Sequence, residues 1–125
     1  MVRPTILIAE PEPKEALSTR KLVLETGKFN VLTAHSSDEA VEEFDLFPNV
    51  DGLVVVNGNG LDADWVSQII RQKSPETPII CLAPEVGAKS PRADYTLSSH
   101  EPVALLDLLR TLFGDPRKMS ELTSV

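Results

Sequence analysis

The chain has 125 residues, of which 42% are hydrophobic and 25% are charged, and its formal net charge at pH 7 is -7. This size and composition are typical of one soluble globular domain with its own hydrophobic core. The acidic balance argues against binding to nucleic acid or to anionic membranes, because both need a basic surface. The single cysteine, Cys81, lies in an apolar run. We expect it to be buried and the protein to be cytoplasmic, where thiols stay reduced.

The N-terminal half alternates short apolar runs with amphipathic patterns. The sequence predicts a strand at Thr5–Ala9, a helix at Lys14–Thr26 and a second strand at Asn30–Ala34. Ser37 is predicted to be the N-cap of the second helix, because a serine hydroxyl can accept a bond from an unpaired N–H of the first turn. Pro48 is predicted to end that helix.

The C-terminal half continues the alternation. The sequence predicts strands at Leu53–Val56, Ile79–Ala83 and Tyr95–Leu97, and helices at Asp62–Lys73 and from Pro102 to about Phe113. Strands that alternate with helices favour right-handed βαβ units in an open parallel sheet. We expect one domain over residues 1–114 and a mobile tail over residues 115–125, where no periodicity remains.

The carboxyl ends of parallel strands form the edge at which such sheets bind ligands. In this sequence that edge carries Glu10, Asn57, Ala83 and Ser98. The opening run from Ile6 to Pro13, the buried strand that ends on Asn57 and the amphipathic stretch after Asp64 resemble the receiver domain of bacterial response regulators, and the likeness extends from Thr5 to Phe113. The resemblance implies a flavodoxin-like, doubly wound sheet of five parallel strands with helices on both faces. It also implies a role in two-component signal transduction.

The residues at the edge depart from the family in four places. The resemblance implies an aspartate that accepts phosphate where Asn57 stands, and a second acid for Mg²⁺ beside Glu10 where Pro11 stands. It also implies a hydroxyl at Ala83 and a lysine at Ser98. An amide cannot form the acyl phosphate that a carboxylate forms. We therefore expect a degenerate pseudo-receiver that is not an enzyme, with no catalytic residue, no metal site and no cofactor.

Two further departures concern the surface through which receivers contact other proteins. Tyr95 falls at the family's aromatic switch position, but Ala83 has no hydroxyl that phosphate could attract, so an ordinary strand tyrosine is the simpler interpretation. The family's fourth helix is missing from the sequence pattern. The segment from Pro84 to Arg92 holds two prolines, a glycine and almost no apolar periodicity, so we predict a loop or a single turn there.

The last helix carries more apolar residues than one core face needs. One interpretation is a helix packed between the sheet and the first helix, and the other is a surface for a protein partner or a second copy. The candidate interface residues are Val103, Leu106, Leu109 and Phe113. The expected function is a receiver domain that works by protein contact.

Two alternatives stay open. The glycines of the turn from Gly58 to Gly60 follow a strand and precede a helix, as in a dinucleotide fingerprint, so a small-ligand or nucleotide sensor is possible. The second alternative is weak phosphotransfer that uses Glu10 as a displaced acid.

Overall fold

A computed structural model describes residues 3–11, 18–58, 60–83 and 93–116. Its strands are β1 Thr5–Ala9, β2 Asn30–Ala34, β3 Gly52–Val56, β4 Ile79–Ala83 and β5 Tyr95–Ser98. Its helices in those residues are α1 Thr19–Thr26, α2 Ser37–Leu46, α3 Ala63–Lys73 and α4 Pro102–Phe113. All neighbouring strands are parallel, in the order β2-β1-β3-β4-β5. The predicted flavodoxin-like sheet is confirmed.

Helices cover both faces of the sheet because successive side chains of a strand point to opposite sides. Leu7 of β1 packs in the layer that contains Phe44 of α2 and Ile70 of α3. Ile8 packs in the other layer, with Leu109 of α4. Every residue of β3 and β4 is buried, which explains their unbroken apolar sequences.

The first helix is shorter than predicted. Ser18 has an extended backbone, with φ -86° and ψ 118°, and its hydroxyl accepts a hydrogen bond from the N–H of Lys21 at 3.2 Å. Ser18 is therefore the N-cap, and the prediction of one continuous helix from Lys14 is wrong at this point. Residues 12–17 lie outside the described part of the chain. Gly27 ends the helix as its C-cap, and its N–H donates to the carbonyl of Val23.

The second helix begins one residue earlier than predicted. Its N-cap is Ser36, whose hydroxyl accepts from the N–H of Glu39 at 3.1 Å. Ser37 instead accepts from the N–H of Asp62 at 2.8 Å, so this hydroxyl joins α2 to the start of α3. Sequence alone cannot separate two adjacent serines when one of them is bonded across the fold.

The last helix packs closely on the sheet and on α1. Leu109 is fully buried, so its inclusion among the candidate interface residues was wrong. Leu106 lies against Gly27, and the ring of Phe113 lies against Gly52, where a Cβ would be 3.0 Å from the Cζ of Phe113. Val103 remains 63% exposed. Most of the apolar surplus of α4 therefore serves packing.

Other predictions fall outside the described residues. The predicted loop from Pro84 to Arg92 covers residues that the structure does not describe, and so does most of the predicted tail, over residues 117–125.

Within the described ranges, no helix is long and apolar enough to cross a bilayer.

Candidate functional site

The four sequence-predicted edge residues all lie along the carboxyl edge of the sheet. Glu10 continues the β1–β2 pairing, since its N–H donates to Ala34 O at 2.9 Å. Ala83 of β4 pairs in register with Ser98 of β5. The chain places α1 on one face of the sheet and α2 on the other, so the edge between β1 and β3 is a topological switch point. We call the space at the carboxyl ends of β1 and β3 the strand-end crevice. Glu10 and Asn57 are the residues that directly follow these two strands.

Glu10 is buried and paired with a residue that sequence analysis missed. Its exposed fraction is 1%, and its Oε2 lies 2.8 Å from Nε of Arg20 in the first turn of α1. Nη1 of the same guanidinium donates to the carbonyl of Ser99 at 3.1 Å. A buried carboxylate needs a cation and hydrogen bonds to offset its lost hydration. Arg20 supplies both to Oε2, whereas Oε1 is buried and has no hydrogen-bond partner among the described residues.

No sequence signal links Arg20 to Glu10. The two residues are ten positions apart, and the segment between them fits no metal or catalytic motif. The contact arises because α1 folds back across the edge on which β1 ends. His35 adds a further contact, since its Nδ1 lies 3.2 Å from the backbone oxygen of Glu10. A carbonyl oxygen can only accept, so a hydrogen bond here requires the tautomer with the proton on Nδ1.

Asn57 is exposed and has a structural task. Its Oδ1 accepts a hydrogen bond from the N–H of Ala63, the first residue of α3, at 3.2 Å. The amide oxygen therefore satisfies one of the unpaired N–H groups that every helix start leaves. The next residue is close to Pro11, because a Cβ on Gly58 would lie 2.8 Å from Cγ of that proline. Glycine at position 58 is what lets Pro11 pack here.

The turn from Gly58 to Leu61 is closed by two backbone hydrogen bonds between these residues, at 3.2 and 3.1 Å. Gly60 has φ 78°, a conformation that favours glycine. Asp62 caps α3 by accepting from the N–H of Trp65 at 3.1 Å. A phosphate at this helix start would meet the Asp62 carboxylate and N–H groups that are already bonded. The geometry gives no support to the nucleotide alternative.

The remaining edge positions carry no charge, and neither has the side chain that the receiver resemblance implies. Ala83 is buried and carries no hydroxyl. Ser98 is half-buried, and its hydroxyl accepts from the N–H of His100 at 3.2 Å. Cys81 is buried, as the apolar run around it predicted, and this burial raises the pKa of its thiol.

The edge does not fit the Mg²⁺ that the receiver resemblance implies. Mg²⁺ needs carboxylate oxygens in an octahedral arrangement. Here one oxygen of Glu10 is bonded to Arg20, Pro11 has no side-chain ligand, and Oδ1 of Asn57 is bonded to α3. Within the described ranges, no group of three His, Cys, Asp or Glu residues could hold a metal ion.

The comparisons with known proteins identify the fold. No protein-family model and no curated protein sequence matches the chain. A response regulator receiver domain protein from Clostridium thermocellum matches with TM-score 0.74 and 21% identity, over 93% of this chain and 98% of that one. Response regulator TrrA from Thermotoga maritima, in complex with Mg²⁺ and BeF, matches with TM-score 0.73 and 24% identity, over 87% and 98%. TrrA in complex with the histidine kinase ThkA matches with TM-score 0.70 and 24% identity, over 87% and 97%. The chain has the CheY-like receiver fold.

Proposed function

We propose that this chain is a receiver-like signalling domain that is not phosphorylated, has no enzymatic activity and acts by contact with a protein partner or a second copy. One observation carries the proposal: the strand-end crevice is occupied by the chain's own Glu10–Arg20 ion pair, at 2.8 Å. Phosphoryl transfer depends on positioned charges and a nucleophile. Asn57 is an amide bonded to α3 and the Glu10 carboxylate is paired with Arg20, so the crevice offers no free carboxylate to accept phosphate or to bind a metal.

The partner class is supported by the fold and by exposed apolar surface. TrrA, a response regulator with a similar fold, has been solved in complex with a histidine kinase. On this chain, Val103 at the start of α4 is a large apolar side chain that remains mostly exposed. Leu106 and Phe113, farther along the same helix, are half-buried. These three residues are the part of the candidate interface that solvent can reach.

The test is phosphorylation by a small-molecule donor. The protein is incubated with acetyl phosphate and Mg²⁺, and intact mass is measured to detect a phosphoryl adduct. TrrA treated in the same way serves as the comparison receiver. We expect no adduct on this chain. Amide NMR spectra with Mg²⁺ and beryllium fluoride are expected to match the spectrum without them.

Two outcomes would contradict the proposal. An adduct that disappears in Glu10→Gln would favour phosphotransfer through the displaced acid. Localised amide shifts at Glu10, Asn57 and Ala83 would show that the crevice of the wild-type chain still binds a phosphoryl mimic.

A further inference from the structure

The Arg20 guanidinium joins three parts of the fold at the strand-end crevice. It belongs to α1, it binds Glu10 just after β1, and it donates to the carbonyl of Ser99 just after β5. β1 and β5 are not neighbours, because β3 and β4 lie between them in the sheet. The guanidinium therefore reaches across the edge on which the central strands end.

The charge balance of the crevice depends on this residue. The Glu10 side chain is 2% exposed and the Arg20 side chain 25% exposed, so the pair is shielded from water mainly on the carboxylate side. Removal of one partner of a buried pair leaves an uncompensated charge, which is strongly unfavourable. Glu10 would then take up another cation if one could enter. The second carboxylate oxygen of Glu10, Oε1, is buried and has no hydrogen-bond partner among the described residues, so it also lacks a group that offsets its lost hydration.

The start of α4 also depends on this contact. The N-cap residue of α4, Glu101, makes no side-chain capping bond. Two hydrogen bonds of Ser99 tie the preceding turn to other parts of the fold: its N–H donates to Ala83 O at 2.9 Å, and its carbonyl accepts from Arg20. Loss of Arg20 removes one of these two ties. The conformation of the turn that leads into α4 should therefore change when Arg20 no longer occupies the crevice.

We propose that Arg20 is a built-in counter-cation that excludes divalent cations from the strand-end crevice, and that its bond to Ser99 couples the crevice to the start of α4. The inference rests on the proposed function in one respect, that no phosphoryl group competes for the crevice. It explains why the residues do not fit Mg²⁺: the guanidinium already holds the carboxylate that a metal would need.

The test uses Arg20→Gln and the probe Mn²⁺, a cation that prefers carboxylate and carbonyl oxygens and broadens nearby amide NMR signals. In the wild-type chain we expect no selective broadening near Glu10. In R20Q we expect selective broadening at Glu10 and Asn57, with Mn²⁺ affinity raised at least about tenfold, which corresponds to ~1.4 kcal/mol. The double variant Glu10→Gln/Arg20→Gln should lose this gain, because it removes the ligand as well as the competitor.

The matched control is Arg71→Gln. Arg71 also pairs with a carboxylate at 2.8 Å, that of Asp94, on another part of the molecule. The substitution Arg71→Gln should therefore leave the amide NMR signal of Glu10 sharp when Mn²⁺ is added. Coupling to α4 is read without metal, as amide shifts from Ser99 to Leu105 that appear in R20Q and not in R71Q.

Two outcomes would overturn the inference. One is Mn²⁺ broadening that is equal in the wild type and in R20Q. The other is amide chemical shifts from Ser99 to Leu105 that do not change in R20Q. Should R20Q not fold, Arg20→Lys keeps the charge but loses the two-pronged geometry of the guanidinium. Arg20→Lys should shift the amide signals from Ser99 to Leu105 while still excluding Mn²⁺. Unshifted amide signals in this variant would also refute the coupling between the crevice and α4. These results leave the proposed function standing, because that is decided by phosphoryl transfer to the wild-type chain.

Discussion

At the end of β3, the side chain of Asn57 accepts a hydrogen bond from the first N–H of α3. An aspartate could accept the same bond, and its charge would be favourable at a helix N-terminus. We therefore expect Asn57→Asp to fold, with a free energy of unfolding within ~1 kcal/mol of the wild type. We also expect it to take up no phosphoryl group, because Arg20 still holds Glu10 and position 83 still lacks a hydroxyl.

The measurement for Asn57→Asp is intact mass after treatment with acetyl phosphate and Mg²⁺, beside a urea denaturation curve. Asn57→Ala is the matched control, since it removes the bond to Ala63 without adding charge and should destabilise by about 1 kcal/mol. A phosphoryl adduct on Asn57→Asp would mean that one substitution restores the chemistry. The remaining departures at the edge would then have to be tolerated changes.

At the scale of elements, Ser18 decides where α1 begins. Its hydroxyl accepts from the N–H of Lys21, so Ser18→Ala should lower the free energy of unfolding by about 1 kcal/mol. A helix that began at Lys14 would place residue 18 in its interior. Alanine is the better helix former there, so the same change would stabilise by a few tenths of a kcal/mol. The sign of the change in a urea denaturation curve distinguishes the two, and Thr19→Ala, which alters no cap, is the control.

Asp94 joins β5 to its neighbours and gives a pH-dependent prediction. Burial alone would raise the pKa of Asp94, but hydrogen bonds from Arg71 and from the N–H of Ile79, with the charge of Arg71, lower it overall. A lowered folded-state pKa contributes stability that is fully present above the unfolded pKa of about 3.9. That contribution is lost as the pH falls through the folded-state pKa. Asp94→Asn should therefore cost about 1 kcal/mol near neutral pH, a modest value because 41% of the Asp94 side chain is exposed to solvent.

The check on Asp94→Asn is a pair of urea denaturation series, for wild type and variant, from neutral pH to below pH ~3. The gap between the two free energies should narrow in acid. A gap that stays constant would show that the carboxylate charge contributes nothing and that only the shape of the side chain matters. Asp107→Asn on the exposed side of α4 is the control, since its contact with Arg110 is long, at 3.8 Å.

The elements show what sequence could and could not predict. The bounds of β1, β2 and β4 were predicted because each is a short run with clear turn residues around it. For β1 and β4, burial on both faces also demands apolar side chains. The start of α1 was missed because a serine that caps and a serine inside a helix look alike in sequence. Arg20 was missed because its partners, Glu10 and the carbonyl of Ser99, are brought to it by the βαβ crossings and by no local spacing.

At the scale of the whole molecule, α4 covers one sheet face with Leu105 and Leu109, and Val103 projects from its first turn with 63% of its surface exposed. The proposed self-association through this helix predicts a dimer in sedimentation equilibrium that Val103→Glu weakens. The free energy of unfolding of the Val103→Glu variant should differ from that of the wild type by less than about 0.5 kcal/mol, as for most exposed positions. Leu109→Ala should instead destabilise by about 2 to 5 kcal/mol, because it opens a cavity in the core.

Leu46→Glu is the matched control for Val103→Glu. Leu46 is 70% exposed at the end of α2, in the layer on the opposite face of the sheet, and the substitution adds the same charge. Since the chain already carries a net charge of -7, any added acid increases repulsion between copies. Only a larger effect at Val103 than at Leu46 therefore locates the contact on α4. Equal weakening would assign the effect to net charge, and a wild-type chain that stays monomeric at every concentration would leave a different protein as the partner.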